Sequence, residues 1–400
     1  MTFSVFGFTG YWYGLTAGLG VLAYLWAAGM LGFYRRLPAG TVRLYGLLGL
    51  PLGLLFARIG FCAVNLSYFT QSVSQPLKML SFWDGGYSLL GALCGLAVAA
   101  LLAARIKKVR FGAMLDVAAA PLGLLLCGLR IAEQFTGGQL GVGRQVEAGA
   151  LTKAVPWLFV EDRMGTLTLY RLAVYRYEAA AALILLILSL WLFFGHRQIR
   201  RARPGDVGMM VFALFGAAQV VLESLRDDGH MVAGFIRVQQ VGYVLMPVLA
   251  LLILGARYAH IRQKRPAVMA AWLLLPAAAL VILLMVHPLN HVLDLTGRRT
   301  AGFAILAALA VYMAFFLRVQ GADGGLILRW LVALAAIAGC VMVEFSVDGS
   351  NNLLRDYAVM AGCCLLLFLM PYGLWRRLEN KVYIQESIRV QIPRAKRERG

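Results

Sequence analysis

Residues 121–144 read PLGLLLCGLRIAEQFTGGQLGVGR, an apolar run that carries Arg130 and Glu133 to its end and then opens into a glycine-rich segment. Residues three apart share a helix face, so Arg130 can offer a planar donor fork to a phosphate or carboxylate while Glu133 holds the fork in place. Gly137, Gly138, Gly141 and Gly143 permit backbone conformations closed to other residues, which lets the chain approach a headgroup or substrate. Spacing alone equally allows a structural Arg–Glu pair followed by a connecting loop.

Other polar residues in apolar surroundings need reasons of the same kind. Arg58 lies between LGLLFA and IGF, too deep in an apolar stretch to snorkel, so a partner must be near, with Asp116, Glu133, Glu178 and Glu223 as candidates. Tyr11-Trp12-Tyr13-Gly14 opens the first apolar stretch and reads as an interfacial aromatic belt in which Tyr13 could also bond a lipid headgroup. FWDGGYSLLG, residues 82–91, places Asp84 ahead of two glycines, a tight turn that delivers Tyr87 and Ser88 to the outer surface. Arg176-Tyr177-Glu178 opens a later span. Gln219, Glu223 and Arg226 fall on one helical face, and Arg237, Gln239 and Gln240 open the span after that.

The elements that position these groups are membrane helices. Hydrophobic residues make up 61% of the chain, charged residues 14%, and mean hydropathy is +0.75, far from a soluble domain. Stretches long enough to cross a bilayer, which takes roughly 20 residues, occur about eleven times, near 11–33, 43–66, 87–104, 113–133, 175–195, 207–225, 238–258, 267–289, 300–319, 325–347 and 357–375. Fold class is therefore all-α polytopic membrane protein. The net charge of +19 comes from basic clusters between spans, which fits membrane orientation and not nucleic acid. Those clusters follow the odd-numbered spans, so the N-terminus is expected outside and the C-terminus in the cytoplasm.

Composition divides the chain near Arg265–Pro266. Residues 1–265 form a seven-span core rich in intramembrane polar groups, 266–375 a four-span appendage, and 376–400 a basic cytoplasmic tail. The longest loop, 134–174, lies outside and carries Trp157, Phe159, Tyr170 and Tyr175, aromatics suited to the headgroup layer; a surface-lying lid and an ordered connector are both open. Cys62, Cys94, Cys127, Cys340, Cys363 and Cys364 lie in apolar stretches without metal-ligand spacing and read as small buried hydrophobes. No metal or other cofactor is expected.

Tyr13, Arg130, Glu133, Glu178, Glu223, Arg226 and Arg237 gather at the outer ends of the first seven spans, which implies a shared polar pocket. Arginines within an apolar bundle suit an anionic lipid whose phosphate meets guanidinium while acyl chains stay in hydrocarbon. P-loop, GxSxG, HExxH and clustered His/Cys motifs are missing from the sequence, which argues against nucleotide, serine-hydrolase and metal chemistry.

At these residues the chain resembles the bacterial prolipoprotein diacylglyceryl transferases, over roughly residues 1–260. The patterns carrying the resemblance are Tyr13-Gly14, Arg58-Ile59-Gly60, Trp83-Asp84-Gly85-Gly86, Pro121 leading to Arg130, the Arg130-to-Gly141 spacing, Tyr177-Glu178, Glu223 with Arg226, and Gln240. The resemblance implies a multi-pass enzyme of the bacterial cytoplasmic membrane. It would move diacylglyceryl from phosphatidylglycerol to the lipobox cysteine thiol of a secreted precursor, releasing glycerol phosphate. Arg130, Glu133 and Arg226 would be catalytic, and Tyr13, Arg58, Arg130, Gly141, Gln219, Glu223 and Arg237 would bind substrate. Phosphatidylglycerol or another anionic phospholipid and a prolipoprotein signal segment are the implied partners. Five positions depart from the family pattern: Leu90 stands for a histidine, Glu133 for an asparagine, Gly138 for an acidic residue, Gln219 for an arginine and Phe215 for a tyrosine. Two other readings stay open, a relative that binds phospholipid or signal segments without transfer, and a lipid transporter.

Overall fold

The structure is a computed structural model that describes residues 2–5, 8–66, 68–69, 76–82, 85–137, 140–146, 152, 154–164, 167–194, 204–227, 232–233, 236–261, 324–347 and 353–397. Its described helices are α1 (Trp12–Tyr34), α2 (Thr41–Val64), α3 (Leu89–Ile106), α4 (Phe111–Ala119), α5 (Leu122–Glu133), α6 (Val174–Phe194), α7 (Asp206–Leu225), α8 (Val238–Ile261), α9 (Gly324–Val347) and α10 (Leu353–Arg397). Six described helices are long and apolar enough to cross a bilayer, and a bent pair, Phe111–Ala119 with Leu122–Thr136, makes up to seven. The protein is thus a multi-pass helical membrane protein. Eleven spans are not reached among the described residues: those expected at 267–289 and 300–319 lie outside them, and Gln239–Gly255 and Ile327–Cys340 form shorter apolar helices. Leu47, Trp26, Phe33 and Ile187 are largely exposed, as hydrocarbon-facing side chains would be.

The chain divides into two compact units, Met1–Tyr243 and Val244–Gly400. In the first, small residues let helix backbones meet. A Cβ on Gly91 or Gly95 of α3 would strike the carbonyl oxygens of Phe56 or Leu52 on α2, and Ala99 and Ala103 continue the four-residue stripe fully buried. This is the small-xxx-small packing of membrane helices. Gly20 of α1 faces Gly128 of α5 in the same way, with a Cβ on Gly20 placed 2.8 Å from the Gly128 Cα.

The single span expected over 113–133 is broken into α4 and α5, bent by 42°. Pro121 cannot donate to the helix ladder, and the turn around it frees carbonyl groups that hydrocarbon cannot solvate. The Tyr24 hydroxyl donates to Ala118 O at 3.0 Å while sharing a 2.6 Å bond with Tyr45, and the Ser189 hydroxyl donates to Ala120 O. Within α4, Asp116 accepts from Gly205 N at 2.9 Å and Gly208 N at 2.8 Å, capping the donor end of α7.

The described residues form three antiparallel sheets, the first ahead of α1 and the others between helices: β1 (Thr2–Val5) with β2 (Phe8–Tyr11); β3 (Gln145–Val146), β5 (Leu167–Leu172) and β4 (Phe159–Met164) in that spatial order; and β6 (Val232–Ala233) with β7 (Ile236–Arg237). The described residues of the 134–174 loop therefore carry a three-stranded sheet of their own. Of the aromatics expected there, Trp157 is exposed and Phe159 buried, whereas Tyr175 belongs to the first turn of α6 and is buried.

In the second unit α9 and α10 pair. Arg329 donates to Met370 O at 3.3 Å and the Cys340 and Cys364 sulfurs are 3.6 Å apart, so contacts run backward along one helix as they run forward along the other. The pair is antiparallel. The described cysteines are free thiols; Cys94 is exposed and Cys363 half-buried, which corrects the expectation that all six are buried.

Candidate active site

Arg130 and Glu133 occupy the last turn of α5, where the helix C-terminus favours the cation and disfavours the carboxylate. Neighbouring helices compensate Glu133. Arg130 Nη1 donates to Glu133 Oε1, and Arg130 Nε lies 3.1 Å from Glu178 Oε2 on α6. Arg226, the residue that ends α7 in an extended conformation, donates through Nη1 to Glu178 Oε2 at 2.8 Å and through Nη2 to Glu133 Oε2 at 3.4 Å. Gln219 Nε2, two turns earlier on α7, donates to Glu178 Oε1 at 2.6 Å. All five side chains are buried. Two guanidinium groups and two carboxylates thus alternate in a closed set, which offsets much of the cost of taking four charges out of water.

Glycine conformations make the set fit. Gly141 has φ +70°, a Cβ there would strike Glu133 Oε2, and it would lie 2.7 Å from the Tyr175 Cβ. The 134–174 loop then ties down over the helix ends: Tyr175 N donates to Gly141 O at 2.8 Å, Gly143 N to Leu172 O at 2.8 Å, and Asp227 N to Val142 O at 2.9 Å. Arg171 adds bonds to Gly143 O and Asp227 O.

A cavity of about 220 Å³ meets this set, lined by Arg130, Glu178 and Gln219 at polar positions and otherwise by apolar side chains of α5, α6 and α7, among them Leu126, Leu185, Leu188 and Leu222. A polar head on an apolar trough suits a molecule with a charged group and a hydrocarbon tail. Tyr13, at the start of α1, lies within electrostatic range of Glu133 and Arg130, and Trp12 stacks on Phe135. Glu223 is buried one turn beyond Gln219 on α7. Arg237 is placed in β7 by its backbone, and its side chain lies outside the described residues.

Arg58 departs from expectation. Its partners are not Asp116, Glu133, Glu178 or Glu223 but main-chain oxygens. Nε donates to Met79 O at 3.0 Å, Nη2 to Lys78 O at 2.8 Å, and Nη1 to Gly85 O and Gly86 O. Its guanidinium also sits over Phe61 and Phe69. Arg58 clamps the loop that leads into α3, with Gly85 and Gly86 at positive φ supplying the turn. Trp83 and Asp84 lie outside the described residues. Ser88 is buried, not delivered to a surface: its hydroxyl accepts from Gly91 N and caps α3. Leu90 packs on Gly242.

Two residues gain importance over their sequence signal. Glu178 reads from the sequence as one residue of the outer polar pocket and a candidate partner of Arg58, yet three donors converge on it. Tyr243 is wholly buried, donates to Gln239 Oε1 at 2.8 Å and packs its ring edge-on against Phe215 at 5.6 Å. It lies within electrostatic range of Glu223, Arg130, Glu178 and Arg226, so a hydroxyl stands next to the position where Phe215 lacks one. Only the run of polar residues opening α8 hinted at it.

Among curated proteins, the chain is 26% identical over 254 residues to the phosphatidylglycerol--prolipoprotein diacylglyceryl transferase of Geobacillus kaustophilus, covering 60% of this chain and 86% of that protein. It is 26% identical to proteins of the same name from Limosilactobacillus reuteri, covering 62% and 88%, and from Streptococcus equi subsp. zooepidemicus, covering 64% and 92%. The sequence model described as prolipoprotein diacylglyceryl transferase matches residues 1–256, more than half of the chain and all of the elements that build the Arg130 site. The chain belongs to the prolipoprotein diacylglyceryl transferase family.

Proposed function

We propose that the protein is a diacylglyceryl transferase that moves the diacylglyceryl group of phosphatidylglycerol onto the lipobox cysteine thiol of a secreted precursor. The observation carrying this reading is the family match over 1–256, whose span contains the whole Arg130–Glu133–Glu178–Gln219–Arg226 set. The thiolate sulfur attacks the glyceryl carbon that bears the phosphate, the S–C bond forms, and the C–O bond breaks. Glycerol phosphate departs with the electron pair and takes up the thiol proton. No metal is needed, because the charge that develops sits on phosphate oxygens beside guanidinium donors. Arg130 and Arg226 stabilise that charge, Glu133 and Glu178 fix the two forks, Gly141 makes room for Glu133, and Tyr13, Gln219, Glu223 and Arg237 contribute to substrate binding. Arg58 acts indirectly by holding the loop ahead of α3. The acyl chains run along the apolar trough of α5, α6 and α7.

The protein sits in the bacterial cytoplasmic membrane with its N-terminus outside, so that the site opens toward the face where secreted precursors arrive. The distribution of basic clusters supports this orientation. Residues 1–265 are the catalytic core, and 266–400 an addition to it. The three relatives named above all carry the transferase name, so binding without transfer and transport are the less favoured readings.

The test is transfer from labelled phosphatidylglycerol to a lipobox peptide by purified protein. Thioether product is expected from the wild type, and none from a peptide without its cysteine. Arg130→Ala should lower the rate by about a hundredfold or more, the usual scale for removing a transition-state donor. Binding of the lipid without product, or full activity of Arg130→Ala, would overturn the reading.

A further inference from the structure

The linked set of Arg130, Glu133, Glu178 and Arg226 is balanced in charge, with the Glu223 carboxylate also buried on α7, and that bears on which lipid the cavity takes. Arg130 and Arg226 bring two positive charges and Glu133 and Glu178 two negative ones, joined at 2.8 to 3.4 Å or closer. Gln219 adds a neutral amide where the cavity begins. A headgroup whose only charge is a phosphodiester would bring an unmatched anion beside Glu178, in surroundings where charge interactions are strong. A headgroup carrying its own cation would not.

The polar atoms left over match such a headgroup. Arg130 uses Nε and Nη1 for its two carboxylate partners, so among the described residues its Nη2 corner keeps donors for phosphate. Gln219 spends its amide N–H on Glu178, which leaves its carbonyl oxygen as an acceptor on the cavity wall. Together with the Glu178 carboxylate, that oxygen suits a group rich in N–H donors. An ammonium has three such donors, whereas a quaternary amine has none to offer.

We propose, resting on the transfer reading, that this site accepts a phosphoethanolamine-type zwitterionic glycerophospholipid as diacylglyceryl donor in addition to phosphatidylglycerol, with Glu133 and Gln219 setting that range. Phosphate meets Arg130, and the ammonium meets Glu178 and the Gln219 carbonyl. The reaction balances as before: the S–C bond forms, the glyceryl C–O bond breaks, and phosphoethanolamine leaves with the electron pair and the thiol proton.

The experiment uses full-length protein in mixed micelles with a lipobox peptide and labelled phosphatidylethanolamine, phosphatidylglycerol or phosphatidylcholine of identical acyl chains. Product from phosphatidylethanolamine is expected within tenfold of the phosphatidylglycerol rate and at least tenfold above phosphatidylcholine. Glu133→Gln with Gln219→Arg, and Gln219→Arg alone should the pair fold poorly, ought to shift the ethanolamine-to-glycerol rate ratio at least tenfold toward glycerol. Product from phosphatidylglycerol alone, or an unchanged ratio in the folded variant, overturns the proposal while leaving the transfer reading intact. Should no lipid give product, the transfer reading fails on its own. The lipid retained by the protein from an equimolar mixture then decides: phosphatidylethanolamine at or above phosphatidylglycerol supports the charge argument, and an excess of phosphatidylglycerol overturns it.

Discussion

Glu178 receives Arg130, Arg226 and Gln219 together, so its loss would leave two buried guanidinium groups sharing the one carboxylate of Glu133. Glu178→Ala is expected to destabilise the protein by about 3–5 kcal/mol, the usual cost of breaking one side of a buried ion pair. Thermal unfolding in detergent would measure it, with Glu178→Gln expected in between. Gly141→Ala tests the other support of the site: its φ of +70° and the Glu133 carboxylate in the place of a Cβ leave a methyl group nowhere to go. A loss above about 1 kcal/mol is expected, together with at least tenfold lower transfer as Glu133 is pushed from Arg226. Retained activity in Gly141→Ala would remove Glu133 from the working set. Residue types and helical spacing were enough to single out Arg130, Glu133 and Arg226. They misjudged Arg58, because a sequence advertises carboxylates as arginine partners and conceals the carbonyl oxygens of a loop folded back over the side chain.

Helices were legible where their cause is local and hidden where it is not. A run such as LLGALCGLAVAALLAARI declares both its length and, by its four-residue stripe of Gly91, Gly95, Ala99 and Ala103, the face on which α3 meets α2. Gly91→Leu should therefore cost about 1–3 kcal/mol or more by overpacking against the Phe56 carbonyl, seen as a lower unfolding temperature, whereas Gly18→Leu, with nothing within 4 Å of its Cβ, should be nearly neutral. The break between α4 and α5 was signalled by Pro121 alone. What stabilises it comes from Tyr24 and Ser189, 94 and 69 residues away, and no periodicity reports such partners. Similarly, the sheet of β3, β5 and β4 was read only as a loop, since its strands are short and its purpose is to close over the ends of α5, α6 and α7.

As a whole, the chain joins a unit shared with its relatives to one that follows it. Those relatives are covered over 86 to 92% of their own lengths by 60 to 64% of this chain, so α9 and α10 are additional to the part that matches. Removing residues 266–400 is expected to leave transfer within about threefold of full length, on the ground that every residue of the Arg130 set precedes the cut. Loss of activity with folding intact would show that the added unit takes part in turnover. The helical membrane class was legible from composition because an apolar solvent imposes it everywhere; the closed arrangement of charges was not, because it depends on how three helix ends converge.

That closed arrangement also constrains how the protein enters the bilayer. Arg130 and Glu133 lie three residues apart on one helix, so α5 carries a neutral pair as it leaves the ribosomal side and avoids part of the roughly 2.5–3.5 kcal/mol that each lone charge costs at insertion. Glu178 meets Arg130 once α6 arrives, but Arg226 trails α7, so until α7 has arrived the set holds two carboxylates to one guanidinium. The chemistry of the site is therefore completed late in biogenesis, and a chain halted between α6 and α7 would hold one carboxylate in excess of its guanidinium groups, a mark for membrane quality control to recognise.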